Sequence, residues 1–286
     1  MILPGFGNAT RDYIAPFGNS DASLVAALQS RGFSTHVVPI NRKDWFNVAK
    51  MLFSRSYWTG SSTTHPGYSW YLERVKDIVD HARESHPSKK VILVGHSAGG
   101  WLARAFLGHS AWKPDPESST DEEPHEAVAA IVTLGTPHTP PALLSNIKDQ
   151  TGGALTWVNS RWPGAYFAKD GVKYVAVGSK AVQADKTAPR KTLQGYSYGS
   201  YKQVLGSGHG VVGDAVVPLE TALLDGAHHV VFDDVLHSMQ GLGTFEEELE
   251  DGEAWYGSHD VVDEWLRPVV EAIEQENGDK MLTPLI

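Results

Sequence analysis

The chain of 286 residues contains no cysteine. That excludes disulfides, thiolate metal sites and a cysteine nucleophile, so any covalent catalysis must come from another side chain. Positive charge is also scarce: 24 Lys and Arg stand against 34 Asp and Glu, a net charge of −10. A chain this acidic does not neutralise phosphate backbones, which excludes nucleic acid as a partner. No apolar run approaches the length that crosses a bilayer, and no basic, apolar and small-residue sequence of a signal peptide opens the chain. Met1–Leu3 instead reads as a strand running straight into Pro4-Gly5-Phe6-Gly7, a start abrupt enough to leave room for a targeting segment ahead of it.

The negative charge is not spread evenly. Asp115–Glu126 and Glu246–Glu253 each hold six acids and neither holds a base, which leaves 22 acids against 24 bases elsewhere. Both windows read as solvated loops. The remaining body is close to neutral and compatible with a lipidic or anionic substrate.

Apolar runs alternate with helical patterns. Ser34–Ile40, Lys90–Val94, Ala127–Leu134, Val172–Gly178 and His229–Phe232 read as strands. Tyr68–His86, Trp101–Leu107 and Val261–Ile273 read as helices, the first with Leu72, Val75, Ile78 and Val79 on one face. Strands alternating with helices predict an α/β fold: a parallel-dominated central sheet with helices on both faces. No repeat or linker divides the chain, so residues 1–286 are expected to form one domain. Three segments interrupt the rhythm: 180–213, rich in Gly, Ser and Tyr, and two others, 41–66 and 140–170, which carry Trp45, Trp58, Trp157 and Trp162. Inserted loops on a rigid scaffold usually hold binding function, so the latter two are expected to form a lid and these tryptophans to line a substrate pocket. Ordinary loop packing is the alternative for each.

The pattern G-x-S-x-G occurs twice, as Gly95-His96-Ser97-Ala98-Gly99 and Gly195-Tyr196-Ser197-Tyr198-Gly199. A nucleophilic serine needs a sharp strand-to-helix turn that lifts its Oγ clear of the sheet. Ser97 follows the apolar run Val91-Ile92-Leu93-Val94 and precedes Trp101, Leu102, Ala105 and Phe106. Ser197 follows Lys191-Thr192-Leu193-Gln194, which is no buried strand, and no helix is expected after it. Ser97 is therefore the candidate nucleophile. The Ala98 N–H, at the start of the following helix, faces developing negative charge, and the Phe6 N–H in the Pro-Gly loop supplies the second oxyanion donor.

A serine hydroxyl needs a histidine to take its proton and a carboxylate to orient that histidine, here in the chain order Ser, acid, His. His237 lies just past the final strand, four residues beyond Asp233, with His259 and His209 as alternatives; His96 should point away from the Oγ and His138 is structural. Asp214, in Gly213-Asp214-Ala215-Val216-Val217-Pro218, is the candidate acid, with a turn-capping Asx role as its alternative. A metal site is not expected: His228 and His229 face opposite sides of a strand, and no H-E-x-x-H is present.

These residues resemble serine esterases and lipases of the α/β-hydrolase superfamily over most of the chain. Leu134-Gly135-Thr136-Pro137-His138 is similar to a strand-end motif of lipases and GPI-inositol-deacylase-like proteins. Trp255-Tyr256-Gly257-Ser258, with Val261-Val262-Asp263-Glu264-Trp265, resembles the C-terminal signature of a plant, algal and cyanobacterial branch. The resemblance implies an acyl-enzyme mechanism without a cofactor, acting on a bulky hydrophobic ester such as a lipid or phytyl ester. It also implies a soluble protein of plastid or cytoplasm that touches a membrane surface transiently at most. Chlorophyllase is one activity of such hydrolases in green lineages, although Ala98 stands where the familiar plant elbow has arginine. Acyl transfer and turnover-free binding of a hydrophobic ligand are the rival functions on this fold.

Overall fold

The computed structural model describes residues 1–87, 89–108, 124–141, 149–240, 249–250 and 252–281, with side chains to 275. Most of the two acidic windows lies outside the described residues.

In chain order the described elements are β1 (Ile2–Leu3), α1 (Arg11–Ile14), α2 (Leu24–Gln29), α3 (Arg55–Thr59), α4 (Ser69–Ser85), β2 (Val91–His96), α5 (Ala98–Gly108), β3 (Val128–Leu134), α6 (Ala154–Arg161) and β4 (Lys173–Ser179). There follow β5 (Val182–Gln183), α7 (Leu193–Leu205), β6 (Val212–Gly213), α8 (Leu219–Ala222), β7 (His228–Phe232), β8 (Val235–Leu236), β9 (Ala254–Trp255) and α9 (His259–Met281). A 3-10 helix occupies Arg42–Phe53.

Five strands form the central sheet in the order β1-β2-β3-β4-β7, all parallel. Side chains alternate between its faces, and both faces are apolar, as a sheet covered on both sides requires. Leu3, Leu93, Ile131 and Ala176 pack with α4, α5 and α6, while Ile2, Val94, Val132, Val175 and Val177 pack with α2 and α9. Two small ribbons stand apart: β5 with β6, antiparallel, and β8 with β9.

Two local expectations need correcting. Ser34–Ile40 is not a full strand. It meets β1 through one bridge, Ile2 to Val37, with Ile2 N–H donating to His36 O and Val38 N–H to Ile2 O. With β1 only two residues long, there is no longer ladder for it to join. Helix α7 runs through Ser197, where none was expected, because Thr192 caps its start and Tyr201 is buried on its inner side.

The chain leaves β1, passes to the segment on one side of it, and returns as β2 on the other. This is a topological switch point, and in open α/β sheets ligands gather beside the carboxyl ends of strands at such a point. Phe6 follows β1 there and Ser97 follows β2.

Candidate active site

The turn at Ser97 is set by backbone geometry. Ser97 has φ 51°, in the left-handed region that costs a non-glycine residue about 1–3 kcal/mol. Its neighbours hold it there: Ser97 N–H donates to Leu134 O and Thr136 Oγ1 donates to Ser97 O, both at 2.8 Å. A Cβ on Gly99 would stand 2.2 Å from Leu3 O, so only glycine lets α5 press against the end of β1. That contact brings the Pro4–Gly7 loop beside the serine. Among the described residues no hydrogen bond engages the backbone N–H of Phe6 or of Ala98.

Asp214 follows β6, is 1% exposed, and receives four donors. Its Oδ1 accepts from Val216 N (3.0 Å) and Val217 N (2.7 Å); its Oδ2 accepts from His237 Nδ1 (2.8 Å) and Tyr256 Oη (2.9 Å). A carboxylate offers about four lone-pair sites, so this one is saturated. The turn-capping role and the histidine-orienting role therefore coexist, one on each oxygen. Because a carboxylate only accepts, Nδ1 of His237 carries the hydrogen and Nε2 is left with a lone pair. His237 N–H also donates to Asp214 O at 2.9 Å, clamping the pair twice. Gly135, at φ 53°, leaves the space in which they meet: a Cβ there would lie 2.5 Å from Asp214 Oδ2 and 2.9 Å from His237 Nδ1.

Tyr256 belongs to the C-terminal signature but carries no site role that the sequence signals. It is fully buried, and burial, then the adjacent Asp214, push its hydroxyl pKa far above the usual range, so it remains a donor.

His96 also proves closer to the site than its position in the elbow suggested. Its ring lies 4.8 Å from that of His237, and its Nε2 meets His237 O at 2.8 Å. A carbonyl can only accept, so Nε2 carries the hydrogen and Nδ1 accepts from Tyr13 Oη at 2.7 Å. Tyr13 Oη accepts in turn from Gly5 N and Asn8 Nδ2, both at 3.0 Å. One chain of hydrogen bonds thus ties the loop before Phe6 to the backbone of His237. Burial, then the nearby His237, lower the His96 pKa to about 3, so its imidazole is neutral at physiological pH.

A cavity of about 280 Å³ opens beside Ser97, with Phe6, Tyr68, Ala98, Trp101, Leu155 and Val217 among its walls. Both inserted segments reach it, through Val48 from one side and Pro140, Pro141 and Leu155 from the other. The four tryptophans do not line it. Trp45 and Trp162 are buried in the core, Trp157 packs against that core, and Trp58 is 66% exposed. Their ring area is spent on holding the insertions down: Trp45 Nε1 donates to Asn8 O while its ring packs on Phe6 and Trp70, and Trp162 packs edge-on to Trp157.

The other histidines sit elsewhere. His138 is buried against Thr133 and Arg104, His209 is 3.6 Å from Asp185, and His259 Nε2 bonds Asp21 O. Ser197 Oγ donates to Leu193 O inside α7. Among the described residues there is no group of three or more His, Asp or Glu placed to hold a metal ion, and no helix is long and apolar enough to cross a membrane.

A protein family described as the PGAP1-like alpha/beta domain matches residues 68–183, from α4 to β5. No curated protein matches the chain. Among solved structures the chain is similar to a mature lipase of Bacillus licheniformis, with 14% identity over 82% of this chain and 83% of that one, at a TM-score of 0.45. It is similar to a metagenomic carboxyl esterase, with 14% identity over 98% and 75%, at 0.44. It is also similar to a phospholipase of Legionella pneumophila, with 12% identity over 96% and 63%, at 0.46, and so spans less than two thirds of that protein. The chain has an α/β fold, a five-stranded parallel sheet covered by helices on both faces, and the family match lies within it.

Proposed function

We propose that this chain hydrolyses a carboxylic ester bearing a bulky apolar group, with Ser97 as nucleophile, His237 as general base and Asp214 as the residue that orients it. The observations that support this reading are a serine on a left-handed turn after β2 and a buried Asp–His pair whose Nε2 keeps a lone pair, with His96, the serine's neighbour, bonded to the His237 carbonyl.

Ser97 Oγ attacks the ester carbonyl while His237 Nε2 takes its proton. The C=O π electrons move onto oxygen, and the N–H groups of Phe6 and Ala98 receive that oxyanion. The tetrahedral intermediate collapses, the C–O bond to the alcohol breaks, and His237 returns the proton to the leaving alkoxide. Water then attacks the acyl-serine with the same base, releasing the acid and restoring Ser97. Asp214, held by four donors, keeps His237 in the tautomer this needs. The cavity beside Ser97 accommodates the apolar group, and the segments 41–66 and 140–170 act as its cover within a single domain of 1–286.

The test is a panel of short and long p-nitrophenyl esters, triacylglycerol, galactolipid and chlorophyll, run on wild type and Ser97→Ala, with a fluorophosphonate label on both. Hydrolysis and labelling should vanish together in the variant. Full activity in Ser97→Ala, or no labelling of wild type, refutes the reading. Added alcohol acceptors distinguish hydrolysis from acyl transfer by their products.

A further inference from the structure

A second groove, of about 590 Å³, runs along α7 and the loop before it, and shares Ser200 and Gln203 with the cavity at Ser97. Its character is the opposite of that cavity's. Lys186, Arg190 and Lys202 line it together with Tyr196 and Tyr198, and no carboxylate does. None of the three cations is in an ion pair with a described residue. Asp185, next to Lys186 in the chain, accepts from Thr187 N and Oγ1 and lies 3.6 Å from His209 Nδ1, outside the groove lining.

Three cations line this one concave site with a single carboxylate, Asp185, acting on Lys186 from beside it, in a protein whose net charge is −10. Helix α7, thirteen residues long, begins at the same groove, and its capped first turn at Thr192–Gly195 adds the positive end of its dipole. Arginine offers a planar fork that matches phosphate oxygens in pairs, lysine a mobile point charge, and tyrosine a neutral donor. The partition towards Ser97 is slight: Gln203 Oε1 accepts from Gln150 Nε2 at 2.7 Å, in an exposed side-chain pair.

We infer that the α7 groove is a subsite for a phosphate-bearing head group on the alcohol side of the ester, held by Lys186, Arg190 and Lys202 while the apolar part occupies the cavity at Ser97. The inference rests on the ester-hydrolase reading for its place in the reaction, but not for the binding of the anion.

Two esters with the same acyl chain test it: decanoylglycerol and decanoylglycerol phosphate, compared on wild type and on Lys186→Gln/Arg190→Gln/Lys202→Gln. Exposed charge contacts are individually weak, so together they should give wild type about a tenfold preference in kcat/KM for the phosphate ester, carried by KM and erased by high salt. The triple variant should lose that preference and hydrolyse the neutral ester as wild type does. Equal kcat/KM for both esters in wild type, or a preference that survives in the triple variant, overturns the inference. Calorimetry with glycerol phosphate and with inorganic phosphate separates a head-group site from a free-anion site. Binding of glycerol phosphate to wild type but not to the triple variant supports the head-group site. Binding of inorganic phosphate without any preference between the esters overturns it. If neither ester is turned over while glycerol phosphate still binds through the three cations, the hydrolase reading fails and the anion site stands.

Discussion

Replacing Tyr256 with phenylalanine removes one atom from the centre of the site. The ring keeps its place over Gly135, whose added Cβ would fall 2.7 Å from Tyr256 Cε2, so packing is preserved and only the bond to Asp214 Oδ2 is lost. A hydrogen bond to a charged acceptor contributes about 1.5–3 kcal/mol, and phenylalanine leaves no polar group of its own unsatisfied. Asp214 retains three of its four donors, so a cost of about 2 kcal/mol is expected, or about 4–8 °C in Tm for a chain of this size. Tyr256 meets the carboxylate and not the substrate. The variant should therefore lose about tenfold in kcat, through a less firmly oriented His237, with KM nearly unchanged. Steady-state kinetics and thermal unfolding read both effects. The sharper test is a double-mutant cycle: if Tyr256 acts only through Asp214, Tyr256→Phe should change kcat little once Asp214→Asn is present. An unchanged kcat in the single variant, or an undiminished tenfold loss in the Asp214→Asn background, refutes the positioning role.

Other expectations are simpler to check. Asp214→Asn should leave the fold intact and lower kcat by several orders of magnitude, roughly 10⁴-fold by analogy with other triads, because it stabilises the wrong imidazole tautomer. Gly135→Ala should abolish activity and lower Tm, since its Cβ would lie 2.5 Å from Asp214 Oδ2; normal kinetics would show that the Asp–His pair lies elsewhere. Leu155→Trp, which fills the cavity wall, should raise KM for long acyl esters while sparing acetate esters, so equal effects on both would sink its pocket role. Acid stability follows from His96. Its folded pKa, about 3, lies below the unfolded value near 6.5, so below about pH 6.5 the unfolded chain binds the extra proton and stability falls as pH drops toward 3. The full span amounts to about 5 kcal/mol, and burial of His138 acts in the same direction. Urea unfolding across this range should show a shallower pH slope in His96→Gln; an equal slope contradicts the buried neutral imidazole.

Much of the scaffold and part of the site could be read directly from residues. The run Val91–Val94, the glycines around Ser97 and the apolar start of α5 are local patterns, and strand-turn-helix geometry is a local outcome of them. Alternation of apolar residues on both faces of β2, β3 and β4 likewise signals a doubly covered parallel sheet without any knowledge of the partners. The order of Ser97, Asp214 and His237 along the chain suggested a grouping. The meeting of Asp214 with His237 depends on how β6 and β8 stand beyond the central sheet, which no local period encodes.

What the tertiary structure alone decided is which side chains converge from distant segments. Tyr256 reaches Asp214 across 42 residues, and His96 reaches the carbonyl of His237 across 141, with Tyr13 and Asn8 behind it. Neither link has a sequence signature, because a hydrogen bond between remote side chains depends on strand register and helix placement rather than on spacing. The tryptophans show the same limit from the other side. Composition and position marked them as pocket residues, yet burying large rings against the core outweighed lining a cavity at Trp45 and Trp162, and other side chains, Phe6, Tyr68, Trp101 and Leu155 among them, took the wall. The absence of cysteine and the excess of acid, by contrast, were complete as read. They left serine as the nucleophile to seek, and only the fold gathered Lys186, Arg190 and Lys202 into one groove.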